Sequence, residues 1–164
     1  MAQAPKSLMS LDEAWSRLSE SLNHLLSTEA QEEVLSDQAL GRVLAQDIVS
    51  PVDVPPHDNS AMDGYAVAKA DLAALAQPGS TLVVAQRIAA GQMGAALQAG
   101  TCARIFTGAP IPEGTGAVVM QEHVEAVSEG LVRFTEPVKP GQNIRCRGED
   151  IASGSKVLTQ GDRK

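Results

Sequence analysis

The chain has 164 residues, of which 43% are apolar and 20% charged, and this composition is that of a folded protein with a sizeable core. Its net charge of −7 argues against general binding to nucleic acid, which requires clustered lysine and arginine side chains. No apolar run approaches the ~20 residues that cross a bilayer, so no membrane span is expected. Cys102 and Cys146 lack the spacing of a metal knuckle or a disulfide framework, and a reducing cytoplasm fits them best.

Two helices are predicted near the N-terminus. Ser10 and Glu13 have the spacing of a capping box, and leucines recur on one face after them, which predicts an amphipathic helix over residues 11–26. A shorter helix is predicted from Asp37 to Ala45, with Ser36 as its cap. The first part of the chain is therefore expected to be helical.

Two proline-rich hinges, residues 51–56 and 137–141, bracket a region with a different pattern. Short apolar strands are predicted there at residues 65–67, 81–84, 103–106, 117–120, 123–127 and 131–135, with a helix over 70–76. The last two strands form a hairpin through a three-residue loop that ends at Gly130. The middle of the chain is thus predicted to be a β-rich unit between two hinges.

The densest group of polar side chains is the segment Asp58-Asn59-Ser60-Ala61-Met62-Asp63-Gly64-Tyr65. Its carboxylates, amide and hydroxyl could hold a metal ion or a polar ligand. In the alternative, a capped turn, the side chains of residues 58–60 bond their own backbone and Gly64 adopts a conformation that other residues avoid. Spacing alone favours the capped turn.

A second motif, Thr107-Gly108-Ala109-Pro110-Ile111-Pro112-Glu113-Gly114, follows an apolar strand directly. Backbone amides and a threonine hydroxyl at the end of a strand can bind an anion. The motif lacks the Gly-Lys-Ser/Thr ending of a P-loop and does not continue as GxGxxG. An ordinary strand-to-turn connection is the alternative, and spacing alone favours it.

The third motif lies in residues 141–150 and carries both basic and acidic side chains. The guanidinium groups of Arg145 and Arg147 suit phosphate or another oxyanion, while Glu149 and Asp150 could hold Mg²⁺ or orient the arginines. The alternative is a solvated run of charges that pair with one another on a strand edge.

Taken in order, the three motifs resemble the MoeA family, to which the E domain of animal gephyrin is related. The combination of DNSAMDGYA, TGAPIPEG and RGEDI in this order is specific. Matching stretches cover almost the whole chain: Ser10–Ala14, Gly41–Ala45, Asp53–Pro55, Asp58–Ala66, Arg104–Gly114, Ala117–Glu122 and Gly141–Ile151.

The resemblance implies a molybdopterin molybdenumtransferase, in which adenylylated molybdopterin and molybdate give molybdenum cofactor and AMP with the help of Mg²⁺. It implies that Asp63, Thr107 and Asp150 are catalytic residues that line a cleft. Residues expected to bind substrate or to support those three are Asp58, Asn59, Ser60, Arg145 and Glu149. Asp63 and Asp150 are the expected Mg²⁺ ligands, and folding is expected to need no cofactor.

The resemblance also implies an α+β fold of two domains. Residues 1–57 and 140–164 would form an elongated domain of helices and a small sheet, into which a β-rich, barrel-like domain of residues 58–139 is inserted. Family members carry further domains and build their cleft across a homodimer. The chain is therefore expected to be an N-terminal fragment that supplies half of a composite active site and is inactive alone.

The alternative function is a non-catalytic module for dimerisation, or for contact with other proteins of molybdenum cofactor synthesis. Neither hypothesis involves a nucleic acid or a membrane. The two hypotheses differ in whether the polar motifs act on a substrate or only shape a surface.

Overall fold

The chain divides into two units. The computed structural model describes residues 9–23 and 31–163. The smaller unit is Met1–Gln46 with Thr159–Lys164, and the larger unit is Asp47–Leu158. Within the described ranges, no helix has the length and apolar character that crossing a membrane requires.

The first helix described in the smaller unit is α1, Leu11–Asn23. The backbone amide of Glu13 donates to the Ser10 hydroxyl at 3.2 Å, so the predicted cap is confirmed. One turn later, Arg17 pairs with the Glu13 carboxylate at 2.8 Å. Residues 24–26 of the predicted helix lie outside the described residues.

The helix predicted from Asp37 to Ala45 is wrong. A single 3₁₀ turn, Ser36–Gln38, forms at its start. Gly41 follows with a φ of 80°, a left-handed conformation that does not continue a right-handed helix. Val43 then pairs with Arg163 in an antiparallel bridge, so the chain continues as extended backbone.

The larger unit is mostly β, and its strands are numbered in chain order. They are β1 (Ile48–Val49), β2 (Asn59–Ser60), β3 (Gly64–Ala68), β4 (Thr81–Ile88), β5 (Thr101–Ile105), β6 (Thr115–Met120), β7 (Val124–Ser128), β8 (Leu131–Phe134), β9 (Ile144–Arg145) and β10 (Lys156–Leu158). Helix α2 (Leu72–Leu75) follows β3, where a helix over 70–76 is predicted.

Six of these strands form one curled sheet in the order β6-β3-β5-β4-β8-β7. Strands β4 and β5 are parallel, and the other neighbours are antiparallel. Each of the six predicted strands overlaps one strand of this sheet. The unpredicted strands form two short pairs, β1 with β10 and β2 with β9. They have only two or three residues each, too few for a visible alternation.

Apolar side chains cover both faces of the sheet. One face packs Val67, Cys102, Val119 and Phe134 together with Leu75 of α2. The other face packs a second set: Ala66, Ala68, Ile88, Leu97, Ala103, Ile105, Ala109 and Val118. Small and β-branched residues fill most of the core. Strands β3 and β5 are thus held rigidly from both sides.

The hairpin of β7 and β8 is confirmed, but its loop is shorter than predicted. Ser128 pairs with Leu131, so only Glu129 and Gly130 form the turn. Gly130 has a φ of 71°, a left-handed conformation that glycine adopts easily in a hairpin turn. The strand continues one residue further than its apolar pattern indicates.

The described residues are therefore mostly β, with two short helices. This result confirms the β-rich part of the predicted α+β class. The predicted elongated helical domain at the chain ends is not confirmed, since the second helix does not form. The inserted domain of residues 58–139 lies inside the larger unit, and its own boundaries stay a prediction.

Candidate active site

The segment Asp58–Gly64, here called the hub segment, lies between the other two polar motifs. Its first part, β2, pairs with β9, and Asn59 faces Arg145 in that pair. Asn59 also forms an antiparallel bridge with Pro110. Three motifs that are far apart in the sequence therefore meet along one short strand.

Asp58 connects the hub segment to both other motifs. Its carbonyl oxygen accepts a hydrogen bond from the amide of Ile111 at 2.9 Å. Its carboxylate Oδ1 accepts one from the amide of Arg147 at 2.7 Å. A capped turn would bond this carboxylate to its own backbone, so that interpretation is wrong for Asp58. The side chain instead fixes two loops to each other.

Ser60 and Gly64 shape the hub segment for different reasons. The Ser60 hydroxyl donates to the Met62 carbonyl at 2.5 Å and accepts the Met62 amide at 3.3 Å, which is the predicted local turn. Gly64 does not have a left-handed φ. A Cβ at this position would lie 1.9 Å from the Val119 carbonyl oxygen. Glycine is required here by the close approach of β6.

Asp63 and Thr107 form a hydrogen-bonded pair at one end of the sheet. Asp63 precedes β3 and Thr107 follows β5 by two residues, and antiparallel pairing of Gly64 with Ile105 brings them together. The Thr107 amide and hydroxyl both donate to Asp63 Oδ1, each at 2.8 Å. These two bonds, and the charge of Arg104, hold the pKa of Asp63 below its ordinary value. Asp63 is therefore an exposed, ionised carboxylate at neutral pH.

The backbone amides after Thr107 are engaged inside the protein. The Thr107 amide donates to Asp63, the Gly108 amide to the Ser60 carbonyl at 2.8 Å, and the Ala109 amide to the Phe106 carbonyl at 2.9 Å. An anion nest needs amides that point to solvent. These three amides are therefore not available to an anion, which agrees with the favoured alternative of a strand-to-turn connection, and the loop holds Asp63 and the hub segment.

The charges in the turn after β9, Cys146–Asp150, pair with one another. Arg145 Nη2 donates to Asp150 Oδ2 at 2.5 Å, and Arg145 Nε lies 3.9 Å from Glu149 Oε1. The hydrogen bond to Asp150 is the main cause that raises the pKa of Arg145 above its ordinary value. The Cys146 amide donates to Glu149 Oε2 at 2.9 Å. Arg145, Glu149 and Asp150 thus pair within the motif, as its alternative expects, whereas Arg147 pairs outside it.

Arg104 is a neighbour of Asp63 to which the sequence assigns no role. Its Nη1 donates to the Gly64 carbonyl at 2.9 Å, and its Nη2 donates to Gln121 Oε1 at 2.5 Å. The backbone amide of Gln121 donates in turn to the Asp63 carbonyl at 3.1 Å. Arg104 thus braces the backbone on both sides of the carboxylate. The available signal was a charged residue in the middle of an apolar strand.

Asp53 is a second residue that motif reasoning missed. Its Oδ1 accepts the Ser153 amide at 2.7 Å and its Oδ2 accepts Arg147 Nε at 2.5 Å. The Ser153 amide, followed by Arg147, lowers the pKa of Asp53 below its ordinary value. Together with Pro51, Val52 and Pro56, these residues line a cleft of 230 Å³. Arg147 is thus held by Asp53 and does not join the charge cluster of Arg145.

The predicted catalytic residues fall into two groups. Asp63 and Thr107 bond each other at the end of the sheet, while Asp150 bonds Arg145 in the turn after β9. The hub segment is the backbone connection between them. Among residues 9–23 and 31–163, no set of three or more His, Cys, Asp and Glu side chains is arranged to hold a metal ion.

The fold and the three joined motifs define the class of this protein. Two crystal structures of molybdopterin biosynthesis MoeA proteins from Pyrococcus horikoshii are similar to it, each with 38% identity. One has a TM-score of 0.74 and covers 87% of this chain and 39% of that one. The other has a TM-score of 0.72 and covers 81% and 34%. The likeness thus spans most of this chain and a minor part of the longer proteins.

The family follows from the sequence match. The family described as the MoeA N-terminal region, domains I and II, matches residues 9–163, and the chain belongs to it. A molybdopterin molybdenumtransferase of Haemophilus influenzae is 44% identical over 155 residues, 94% of this chain and 37% of that protein. One from Synechococcus elongatus is 39% identical over 125 residues, 74% and 31%. The chain therefore spans about a third of the length of these relatives.

Proposed function

We propose that this chain supplies part of the active site of a molybdopterin molybdenumtransferase, which inserts molybdate into adenylylated molybdopterin and releases AMP. The observation that carries the proposal is the Asp63–Thr107 pair, an ionised carboxylate fixed at the end of a rigid sheet. Relatives that match this chain bear the name of that enzyme. The substrates, adenylylated molybdopterin and molybdate, are assigned on the same basis.

Asp63 is the side chain best placed to meet a substrate. Thr107 occupies its Oδ1 with two hydrogen bonds, whereas its Oδ2 receives none from the described residues. An oriented carboxylate with one open oxygen can bind a cation or a donor group of a substrate. Thr107 acts through Asp63, because its hydroxyl proton already points to the carboxylate and only its lone pairs remain available.

Mg²⁺ fits Asp63 better than Asp150. Proteins commonly bind this ion through one or two carboxylates, with substrate phosphates and water as the remaining ligands. Each carboxylate has one oxygen that no described residue bonds, but Asp150 is already paired with the cation Arg145, whose charge opposes a metal ion, whereas Asp63 is held by Thr107. The ion would neutralise phosphate charge beside Asp63. This chain's own part is to hold the carboxylate ionised and oriented.

Asp150 supports the site by orienting Arg145, whose guanidinium is the donor that suits a phosphate or molybdate oxygen. Asn59 and Ser60 hold the hub segment, and Glu149 caps the turn at the Cys146 amide. These are supporting roles, in which the side chains fix backbone that carries the reacting groups. Asp58 has the same role, since it joins two loops.

A complete protein that contains this chain tests the assignment. We expect Asp63→Asn to lower turnover by about a hundredfold, because the negative charge is lost while the shape is kept. Asp150→Asn should have a smaller effect, since it weakens the hold on Arg145. The matched control is Asp162→Asn, an exposed aspartate that also accepts a backbone amide, from Thr159 at 2.9 Å. The measurement is formation of active cofactor by purified enzyme.

Normal turnover by both variants would contradict the assigned roles. Circular dichroism and the urea midpoint of each variant separate a catalytic defect from a folding defect. The chain alone, as a fragment with half of a composite site, is expected to make no cofactor. Full activity of the isolated chain would exclude the composite site.

Helix α1 favours a second function, self-association into a homodimer. Leu11, Trp15, Leu18 and Leu22 recur on one face of this helix, and their exposed fractions lie between 47% and 85%. An apolar stripe of this kind is stable when another surface covers it. We propose a second copy of the chain as the first candidate, and another protein of molybdenum cofactor synthesis as the next.

Sedimentation equilibrium of the isolated chain tests this surface. We expect dimers that dissociate on dilution, and Leu18→Glu should shift the equilibrium to monomer because it places a charge in the stripe. Ser16→Glu is the control, since Ser16 lies on the other side of α1. A monomer at every concentration would exclude self-association, and equal loss in both variants would exclude the stripe as its site.

A further inference from the structure

Two arginines lie side by side at the end of the sheet that carries Asp63. Arg87 of β4 and Arg104 of β5 are register partners in neighbouring parallel strands. Register partners point to the same face of a sheet, and neighbouring strands are about 4.8 Å apart. Strand β5 lies between β4 and β3, and Tyr65 of β3 is the other register partner of Arg104. One face of the sheet therefore carries both arginine side chains, on adjacent strands.

An aromatic ring holds both guanidinium groups. Arg87 Cζ lies 4.5 Å from the centre of the Phe106 ring, and Arg104 Cζ lies 4.6 Å from the same centre. Arg104 also lies 5.3 Å from the centre of the Tyr65 ring. Attraction to the ring faces orients each cation without using its N–H donors. Two of the four aromatic residues in the chain contribute to this cluster.

No carboxylate neutralises the cluster within the described part of the chain. Neither arginine has an ion pair there, although the charge of Arg104 acts on Asp63. Arg104 spends one donor on the Gly64 carbonyl and one on Gln121, whereas Arg87 bonds no acceptor among the described residues. Like charges on neighbouring strands are destabilising, and attraction to the rings counters this repulsion.

We propose that Arg87 and Arg104 form a binding site for a tetrahedral oxyanion of the phosphate class, beside the Asp63–Thr107 pair. A guanidinium presents five N–H donors in a planar fork that matches two oxygens of such an anion. Arg87 has its whole set of donors for this purpose. The anion would remove the repulsion between the two cations, which lie in a chain whose net charge is −7.

Two sources can supply this anion in the proposed reaction: a phosphate group of the nucleotide-linked substrate, or molybdate. Both are tetrahedral and carry negative oxygens, so the same pair of guanidinium groups suits each of them. Only the choice between these sources rests on the proposed function. Binding of an oxyanion to Arg87 requires no turnover and can be measured on this chain alone.

The test is a titration of the ¹⁵N-labelled chain, observed through the side-chain Nε–Hε signals of its arginines. The ligands are inorganic phosphate, AMP and molybdate at constant ionic strength. We expect saturable shifts at Arg87 and Arg104. Arg87→Gln should weaken binding by about tenfold or more, because one of the two charged forks is lost. Phe106→Leu should weaken it too, since the ring that orients both cations is removed.

Arg133→Gln is the matched control. Arg133 is exposed on β8 of the same sheet and pairs with Glu125 at 3.8 Å, away from the cluster. Its replacement should leave the anion affinity unchanged. Because Arg104 braces backbone, Arg87→Gln is the decisive variant and Arg104→Lys the supporting one.

Each outcome decides the question. Tighter binding of AMP identifies a phosphate ester as the source, and tighter binding of molybdate identifies the metal oxyanion. Shifts that do not saturate, or equal affinities of Arg87→Gln and the unaltered chain, would overturn the site. Failure of a complete protein that contains this chain to form cofactor would overturn the proposed reaction and leave this binding site standing.

Discussion

The end of the sheet and the turn after β9 carry similar side chains but are held in different ways. The Asp63 carboxylate receives both of its hydrogen bonds from Thr107, which lies 44 residues away, just after β5. The Asp150 carboxylate is bonded by Arg145, only five residues earlier at the end of β9. The first position is set by the packed sheet, whereas the second is set by local pairing of exposed charges.

Because of this difference, the two regions should respond differently to substitution. At the sheet end, Gly64 and Ile105 are buried, so a change there must move packed backbone. In the turn, the charged groups are exposed and can rearrange at little cost. We therefore expect substitutions and chemical reagents to have clearly different effects at the sheet end and in the turn.

The largest expected difference is in cysteine reactivity. Cys102 lies on β5 and is fully buried, and burial raises its pKa to about 12, whereas Cys146 is exposed in the turn. Because the thiolate is the nucleophile, a thiol reagent near neutral pH should modify Cys146 about a thousandfold faster. Ellman's reagent should titrate one thiol in the native chain and two in guanidinium chloride.

Two single replacements check the assignment of the thiols. Cys146→Ser should remove the fast reaction, and Cys102→Ala should leave it in place. Two thiols of equal rate in the native chain would show that β5 is accessible, and would contradict the rigid sheet.

The next effect is on the free energy of unfolding. Gly64→Ala should cost about 3 kcal/mol or more, because its Cβ would lie 1.9 Å from backbone of β6. Gly148→Ala in the turn should cost only about 1–2 kcal/mol, since its penalty is the left-handed φ of 70°. Urea unfolding of both variants gives the comparison. Equal losses would mean that β6 can move away from Gly64, and that the sheet end is no stiffer than the turn.

The sequence predicted the elements whose apolar pattern repeats over several residues. Strands β3 to β8 show apolar patterns long enough to read, and the three polar motifs pointed to the candidate site. The second helix failed because a single left-handed Gly41 outweighs the apolar spacing around it. Strands β2 and β9 were not predicted, because two residues are too few to show an alternating apolar pattern.

The contacts that assemble the candidate site are long-range and could not be predicted from spacing. Asp58 bonds the amide of Arg147, which lies 89 residues further along the chain. A local rule for turns assigns that carboxylate to its own backbone instead. Arg104 braces Asp63 only because β3 and β5 are neighbours, and the order of strands in a sheet is not written in any one segment.

The smallest effect concerns the hydroxyl of Thr107 and depends on pH. The pKa of Asp63 is depressed in the folded chain, so this carboxylate contributes stability above its unfolded pKa, about 4 for a free aspartate, and loses it as the pH falls through the folded pKa. Thr107→Val removes one of the two hydrogen bonds and should raise the pKa of Asp63. The difference in free energy of unfolding between the variant and the unaltered chain should therefore become smaller below about pH 4.

Urea midpoints measured from pH 7 down to about pH 3, with a carbon-13 titration of the Asp63 carboxylate, test this expectation. Thr101→Val is the control, because the Thr101 hydroxyl donates to the neutral Gln98 carbonyl at 2.7 Å, and its loss should cost the same at every pH. If the difference for Thr107→Val is also independent of pH, the hydroxyl does not stabilise the ionised carboxylate. The pair would then be held by the Thr107 amide alone, and the sheet would set the geometry of Asp63 without help from the side chain.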